Sequence, residues 1–514
     1  MGVFPTAFFL TFVVAGWITA PVSAESRQAP EGAAPAVLAV EGAARDLPPA
    51  ERLWKTDPEV HAEPDDPVRL SLDQAVRLAL DTGEEVELVR EQILQAEEEI
   101  IQVRSGAFPQ VSTNLAYTRQ IRSIFDDLAQ TPGMTPGNGM GGEDDNPFAD
   151  LPFGRPNTWV ASLSINQTLY AQGQVTIGLD IAERVRSLLA RELEETEAEL
   201  RAEVQDAYFQ AVFSDLLVEI STEAWKLADR QLEEVRSFRE RGLASEFDVL
   251  TARVERDNLR PGIVEAENGA RLARQNLRRL VNIPRDREVE LTTRLAAELI
   301  DVDRSALEAA VTDRPALQAA AEQIRIQEDQ VRLARAGFRP SASAFAEFGY
   351  QAFPTSVLPG TDWREDWNVG LQVSIPLFTG FRRSAEVEGA RSEVRSAQLE
   401  RQRLEEGILL EFDGAMADFN AALAEVEARR GTVEQAARAL ELAELRFTAG
   451  SATALELSNA RLNLQQARVN EAEGLLSYVQ ALSRLERVTG GEVPLLATRI
   501  QATPDDSDSD PMDG

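Results

Sequence analysis

Few side chains in this 514-residue chain could carry out catalysis or bind a metal. There is no cysteine, so disulfides, cysteine-based zinc sites and thiol nucleophiles are excluded. The single histidine, His61, lies in a Pro-rich segment, which leaves no place for an HExxH motif or a histidine-containing triad. The two lysines, Lys55 and Lys226, each follow a tryptophan, so no Gly-Lys pair of a phosphate-binding loop exists. The abundant carboxylates have helical spacing and are typical of a solvated helix face. The sequence therefore predicts a protein that is not an enzyme and has no cofactor or metal site.

The first 24 residues contain no charged side chain and predict a secretory signal peptide. An apolar stretch from about Ala7 to Ala20 precedes Val22-Ser23-Ala24, a small-x-small cleavage signal. The rest of the chain holds 86 acidic and 52 basic residues, a net charge of −34. This charge argues against nucleic acid and anionic membranes as partners. No other run reaches the roughly 18 apolar residues of a membrane-spanning helix. The exported chain is therefore periplasmic, secreted or an outer-membrane β-barrel protein.

Two copies of one pattern cover most of the mature chain. The segments FRERGLASEFDVLTAR and FTAGSATALELSNAR each place a glycine between two long charged, Ala-rich runs, and Gly242 and Gly450 are 208 positions apart. RSGAFPQVS matches RAGFRPSAS at an offset of 231, so the first copy holds a 23-residue insertion, rich in Gly and Pro, between Pro109 and Leu169. The predicted boundaries are a signal peptide at 1–24, a Pro/Ala-rich linker at 25–67, repeat 1 at 68–283, an inter-repeat linker at 284–303, repeat 2 at 304–490 and an acidic disordered tail at 491–514.

Each repeat contains two segments in which apolar and other residues alternate with a period of two. One runs from Trp367 to Leu377 and another from Trp159 to Ile165. Alternating runs of about ten residues suit transmembrane β-strands, which expose one face to lipid and the other to a wet lumen. Two half-buried hairpins of a soluble sheet would give the same alternation. The alternation alone leaves both interpretations open.

The strands are followed by very long helical runs. No proline lies between Arg382 and Gly450 or between Thr158 and Gly242, and apolar residues recur every three or four positions. About 65 helical residues make a rod roughly 100 Å long, which must pack along other long helices. An ordinary coiled coil also fits the helix pattern, but it leaves the strands unexplained. Four strands cannot close a barrel, and an open sheet edge cannot survive in lipid, so membrane strands would require several chains to share one barrel. Three chains would supply twelve strands.

From Leu70 to Gly490 the sequence resembles the outer-membrane efflux protein (TolC) family. LSLDQAVRLAL and DRPALQAA look like the opening helices of its two repeats, and the two glycine turns look like its periplasmic tips. The resemblance implies an α+β, mainly α fold with two structural repeats of long helices plus β-hairpins. It also implies a homotrimer with a shared twelve-stranded β-barrel in outer-membrane lipid and a periplasmic α-helical barrel. A periplasmic adaptor and an inner-membrane transporter are its implied partners.

The resemblance further implies that the first tip and the glycine of the second contact the adaptor. Both glycines could instead serve only to take positive φ between antiparallel helices. The implied adaptor-contact residues are Arg241, Gly242, Leu243, Ala244, Ser245 and Gly450.

A periplasmic gate is implied just around the second tip. Phe447 falls at the family's tip aromatic, Glu456 at the first position of its acidic ring, and Asn459 where some members carry a second acid. Asp248 matches an acid that ties the closed tips together, but Ala452 stands where its basic partner is expected, so the closing network must differ. For Glu456 and Asp248 the alternative is a solvated carboxylate in the first helical turn, favoured by the helix dipole.

These features predict a passive exit duct of the outer membrane that serves small-molecule efflux. A duct for type I protein secretion has the same architecture and is one alternative. A soluble periplasmic coiled-coil protein, with a structural or adaptor role, is an alternative of another class.

Overall fold

The structure, a computed structural model, describes most of the two repeats. The predicted signal peptide, the Pro/Ala-rich linker, the insertion loop and the acidic tail after Gly491 lie outside the described residues. The described residues are 68–121, 157–295, 299–300, 302–354, 356–360 and 363–491.

Helices make up most of the described chain. Among them, none combines the length and the apolar character that a membrane-crossing helix requires. The helices are α1 (Leu72–Thr82), α2 (Glu84–Ser105), α3 (Gln174–Glu240), α4 (Glu246–Leu280), α5 (Arg304–Thr312), α6 (Pro315–Ala336), α7 (Arg382–Arg429), α8 (Thr432–Thr448) and α9 (Ala454–Val488).

The long helix of the first repeat is confirmed, and that of the second is corrected. α3 has 67 residues without a break, which gives a rod of roughly 100 Å. The predicted uninterrupted helix from Arg382 to Gly450 is wrong, because it divides into α7 and α8 at Gly431. Gly431 has a φ of 80°, a left-handed conformation that ends the helical hydrogen-bond ladder and that glycine adopts without steric cost.

Four long strands form one antiparallel sheet in the order β2-β3-β5-β6, which joins the hairpins of the two repeats. Strands β1 and β4 form a separate parallel pair. The strands are β1 (Val68–Leu70), β2 (Gln110–Arg119), β3 (Asn157–Tyr170), β4 (Val289–Leu291), β5 (Ser341–Ala352) and β6 (Trp363–Ser374).

The register of the sheet separates an apolar face from a polar face. Val111, Ile165, Ala346 and Val369 lie side by side in one row across the four strands. On this face the rings of Phe348 and Trp367 pack edge to face, and those of Tyr117 and Trp159 also pack together. The neighbouring row on the other face consists of Ser112, Ser164, Glu347 and Asn368.

The largest apolar cluster lies where the short β1–β4 pair packs against the long helices. The hydroxyl of Tyr208 on α3 donates to the Leu70 carbonyl at 2.9 Å and accepts from the Thr293 amide at 3.2 Å. The hydroxyl of Tyr478 on α9 accepts from the Ile300 amide at 2.9 Å. These two hydroxyls satisfy backbone polar groups at Leu70, Thr293 and Ile300 and so hold these segments against the helices. The contacts keep both repeats in one packed body.

Candidate docking and gating site at the two helix tips

The first tip is the turn between α3 and α4. The amide of Gly242 donates to the Arg239 carbonyl at 2.9 Å, and the amide of Leu243 donates to the Phe238 carbonyl at 2.8 Å. This pair of bonds is a Schellman motif, and it requires the left-handed φ of 76° found at Gly242. A Cβ added at Gly242 would meet no atom within 4 Å. Glycine is therefore needed here for its backbone conformation and not for space.

The second tip, between α8 and α9, repeats this backbone. The amide of Gly450 donates to the Phe447 carbonyl at 2.9 Å, and the amide of Ser451 donates to the Arg446 carbonyl at 2.8 Å. Gly450 has a φ of 72°, and here too an added Cβ would meet nothing within 4 Å. One helix-ending motif is thus built twice, 208 positions apart.

The first tip starts its second helix with a capping box. Ser245 is the N-cap of α4, and its hydroxyl accepts from the Asp248 amide at 3.2 Å. In return, the Asp248 carboxylate accepts from the hydroxyl and the backbone amide of Ser245, at 2.7 and 2.8 Å. These hydrogen bonds from Ser245 favour the charged form and hold the pKa of Asp248 below its usual value. Within one chain, the structure therefore pairs Asp248 with its own turn.

The equivalent acid at the second tip, Glu456, has a different environment. Thr453 is the N-cap of α9, and its hydroxyl accepts from the Glu456 amide at 3.2 Å. The Glu456 carboxylate lies 3.5 Å from the guanidinium of Arg446, and both side chains are exposed. Exposed ion pairs contribute little to stability, so this carboxylate can change partners at little cost. Asn459 is exposed on the same helix face, three residues further on.

One aromatic side chain connects the two tips. Phe447, in the last turn of α8, is half-buried, and its ring centroid lies 6.0 Å from that of Phe238 on α3. Phe447 packs against the small apolar cluster of each tip, so the contact between the tips within one chain is apolar. The two clusters are centred on Leu232, Val235, Val249 and Ala252 at the first tip and on Leu440, Leu457 and Leu464 at the second.

Comparison with known proteins agrees with this architecture. The model of the outer membrane efflux protein family matches residues 76–282 and 306–491, close to the two repeats. The chain belongs to this family. It is 23% identical over 334 residues to the outer membrane protein TolC of Vibrio cholerae, a match that covers 64% of this chain and 76% of TolC.

Two solved outer membrane channels show the same fold. The CmeC channel of Campylobacter jejuni superposes with a TM-score of 0.64 at 17% identity, covering 82% of this chain and 85% of CmeC. The open state of the MtrE channel of Neisseria gonorrhoeae superposes with a TM-score of 0.63 at 17% identity, covering 82% and 88%. The mainly α fold with two repeats of long helices and β-hairpins is thereby confirmed.

This member of the outer membrane efflux family is an outer-membrane channel protein that extends into the periplasm, as the sequence predicted. The strands carry an apolar face, and the helices carry the charged surfaces. The tips lie at the opposite end of α3 from the sheet, because β3 precedes α3 and the first tip follows it.

The adaptor contact predicted at the first tip comprises only the five residues of the turn, whereas the structure shows an apolar stripe that continues along α4. Leu243 and Phe247 are 74% and 76% exposed, and Leu250 and Val254 are also exposed. The spacing of Phe247, Leu250 and Val254 by three and four residues puts them on one helix face, and Leu243 precedes them in the turn. That spacing was visible in the sequence and could have revealed the stripe.

The second tip of this efflux-family chain lacks a complete stripe. An offset of 208 gives the equivalent positions, and every other one is polar: Ser451, Leu455, Ser458 and Leu462. The two tips thus share a backbone motif but present different surfaces.

Proposed function

We propose that three copies of this chain form an exit duct that conducts small molecules from an inner-membrane transporter, through a periplasmic adaptor, to the cell exterior. The observation that carries the proposal is the four-stranded sheet with an apolar face and two edges, β2 and β6, each paired on one side only within the described residues. Unpaired backbone groups are too costly to leave in lipid, so the edges need partners from other copies.

Strand direction and strand length support a shared barrel. The four strands alternate in direction, so β6 of one copy can pair with β2 of the next in the same antiparallel pattern. Three copies would close with twelve strands, an even number as in bacterial outer-membrane barrels. The ten residues of β2 extend about 33 Å, which a tilt near 40° reduces to roughly 25 Å, the height of the apolar band of such barrels.

The adaptor docks on the first tip in this proposal. The stripe of Leu243, Phe247, Leu250 and Val254 offers apolar anchors at helical spacing, as in complexes in which a helix packs into a groove. The gate lies at the second tip. Glu456 from three copies would surround the tunnel axis, where mutual repulsion favours binding of a multivalent cation.

The docking proposal is tested by charge substitution at equivalent positions of the two tips. In cells that lack their own export channel, the wild-type chain should lower drug accumulation. Phe247→Glu should abolish this effect. Leu455→Glu, at the equivalent and 68% exposed position, should retain most of it. Both variants must reach the outer membrane at wild-type abundance. Full export by Phe247→Glu would refute docking on this stripe.

The gating proposal is tested in planar bilayers. A trivalent cation added on the periplasmic side should lower single-channel conductance, and Glu456→Gln should remove most of that block. Glu441→Gln is the control, because Glu441 lies on the preceding helix and pairs there with Arg438. Unchanged block in Glu456→Gln would mean that the carboxylate is only a solvated residue of the first helical turn.

A further inference from the structure

The helix-side ends of the four membrane strands carry basic but no acidic side chains. The segments at these ends, residues 102–112, 166–178, 334–343 and 374–385, contain no Asp or Glu, in a chain with 86 acidic and 52 basic residues. The net charge of −34 argued against an anionic membrane surface as a partner, but this charge is absent where the chain leaves the membrane. The basic residues of these segments, here called the arginine collar, are Arg104, Arg335, Arg339, Arg382 and Arg383.

Most of the collar lacks a carboxylate partner. Arg104, Arg335 and Arg339 are exposed, and none of them forms an ion pair with any residue that the structure describes. Arg382 pairs with Glu386 at 2.5 Å. One terminal nitrogen of Arg383 is buried without a hydrogen-bond partner in the described chain. Many arginines of the helical part instead form ion pairs, for example Arg332 with Asp329. The guanidiniums of Arg104, Arg335 and Arg339 therefore have donors left for an external anion.

Exposed aromatic rings lie at the same level as the collar. Phe381 is 76% exposed and packs edge to face against Phe378 with their centroids 5.7 Å apart. Phe381 also has a φ of 65°, a strained conformation for a bulky residue, at the position where the first repeat has Gly173 with a φ of 84°. A glycine would adopt this conformation without strain. The strained phenylalanine therefore indicates that its exposed ring makes a contact that offsets the cost. The remaining exposed aromatics at the strand ends are Phe108, Tyr170 and Phe338.

We propose that the arginine collar binds the phosphate groups of anionic phospholipids in the periplasmic leaflet of the outer membrane. Guanidinium groups bind phosphate through paired N–H donors, and aromatic rings favour the headgroup level of a bilayer. The apolar face of the sheet continues directly into this level through Ile375 and Leu377, which are both exposed. The absence of acidic residues from these four segments lowers the local repulsion that the rest of the chain would exert. The inference rests on the membrane-embedded sheet of the proposed function.

The test is a lipid titration of the purified full-length channel in detergent, followed by native mass spectrometry. The wild type should bind phosphatidylglycerol at least about tenfold more tightly than phosphatidylcholine, whose choline shields the phosphate. A basic residue at a membrane surface changes affinity about fivefold. Combined Gln substitution of Arg104, Arg335 and Arg339 should therefore weaken phosphatidylglycerol binding about fivefold if each arginine holds its own lipid. The loss should reach about a hundredfold if all three share one lipid.

The matched control replaces three other exposed arginines that also lack ion pairs within the described residues. Gln at Arg77, Arg260 and Arg285 removes the same charge away from the strand ends and should leave lipid binding unchanged. Equal affinity for the two lipids, or an equal loss in both triple variants, would overturn the proposal. Displacement of the lipid by millimolar inorganic phosphate would show a phosphate site that needs no membrane, and would overturn it too.

The titration needs no adaptor or transporter, so its outcome is separate from the export assays. A channel that exports normally but does not prefer phosphatidylglycerol refutes the collar alone. A channel that prefers this lipid but supports no export leaves the collar intact and refutes the proposed export function.

Discussion

Replacement of Phe447 should loosen the contact between the two tips and open the channel mouth. A fully buried Phe→Ala substitution costs about 3–5 kcal/mol. Phe447 is half-buried, so we expect a loss of about 2 kcal/mol, which includes the aromatic contact with Phe238, itself about 1 kcal/mol. Since about 1.4 kcal/mol corresponds to a factor of ten, the ratio of closed to open tips should fall about 30-fold per chain.

The open fraction of single channels in a planar bilayer measures this change. Phe447→Ala should raise the open fraction strongly, and Phe238→Ala should raise it less, because Phe447 also packs against the apolar clusters of both tips. The double variant should add little to Phe447→Ala, since both substitutions remove the same pair. Leu445→Ala is the control, because this side chain on α8 is exposed. An unchanged open fraction in Phe447→Ala, or an equal rise in Leu445→Ala, would refute the reasoning.

Five further substitutions have effects whose direction follows from local geometry. Gly242→Ala should destabilise the chain by about 1–2 kcal/mol in detergent melts, because φ is positive there. Gly262→Ala, inside α4 and equally free of neighbours, should stabilise it by up to about 1 kcal/mol. Burial raises the pKa of Asp206 from 3.8 to about 6. The folded chain therefore holds this proton more tightly than the unfolded chain does, and its unfolding free energy should fall by about 2 kcal/mol between pH 4 and 6. Asp206→Asn should abolish that part of the pH dependence in denaturant titrations at both pH values. On the polar face of the sheet, a Cβ at Gly370 would lie 2.7 Å from Cε1 of Phe345. Gly370→Leu should push this ring into the lumen and lower single-channel conductance. Phe345→Ala, added to that variant, should restore the conductance.

The sequence predicted the parts of the fold that local patterns determine. Period-2 alternation identified the strands, and the repeated glycines identified both tips, because a Schellman turn depends on a single left-handed residue. The break at Gly431 was missed for a physical reason. Gly407 and Gly414 lie within α7 and remain helical, since an interior glycine costs only about 1 kcal/mol and packing can override it. Composition alone cannot distinguish these glycines from Gly431.

The site could be predicted less completely than the fold. The resemblance assigned Asp248 to a network between the tips, whereas the structure places its carboxylate on Ser245. The Ser-x-x-Asp spacing, which is typical of a capping box, was the signal for this local pairing. The apolar contact of Phe447 with Phe238 joins residues more than 200 positions apart, and no spacing rule reaches that far. Such contacts depend on how the two helical hairpins, α3–α4 and α8–α9, pack against each other.

The two tips share one backbone motif, but their side chains have different environments. The first tip presents the apolar stripe, and its acid is held by Ser245, whereas the second tip leaves the Glu456 carboxylate exposed. Phe447 packs against the clusters of both tips. An adaptor that displaces the first tip must therefore also change the packing of the second. This coupling predicts that Phe247→Glu, which we expect to block docking, leaves the open fraction of the isolated channel unchanged. Phe447→Ala should raise that fraction even when no adaptor is present. If Phe247→Glu opened the isolated channel as strongly, the stripe would belong to the closing contact and not to the docking surface.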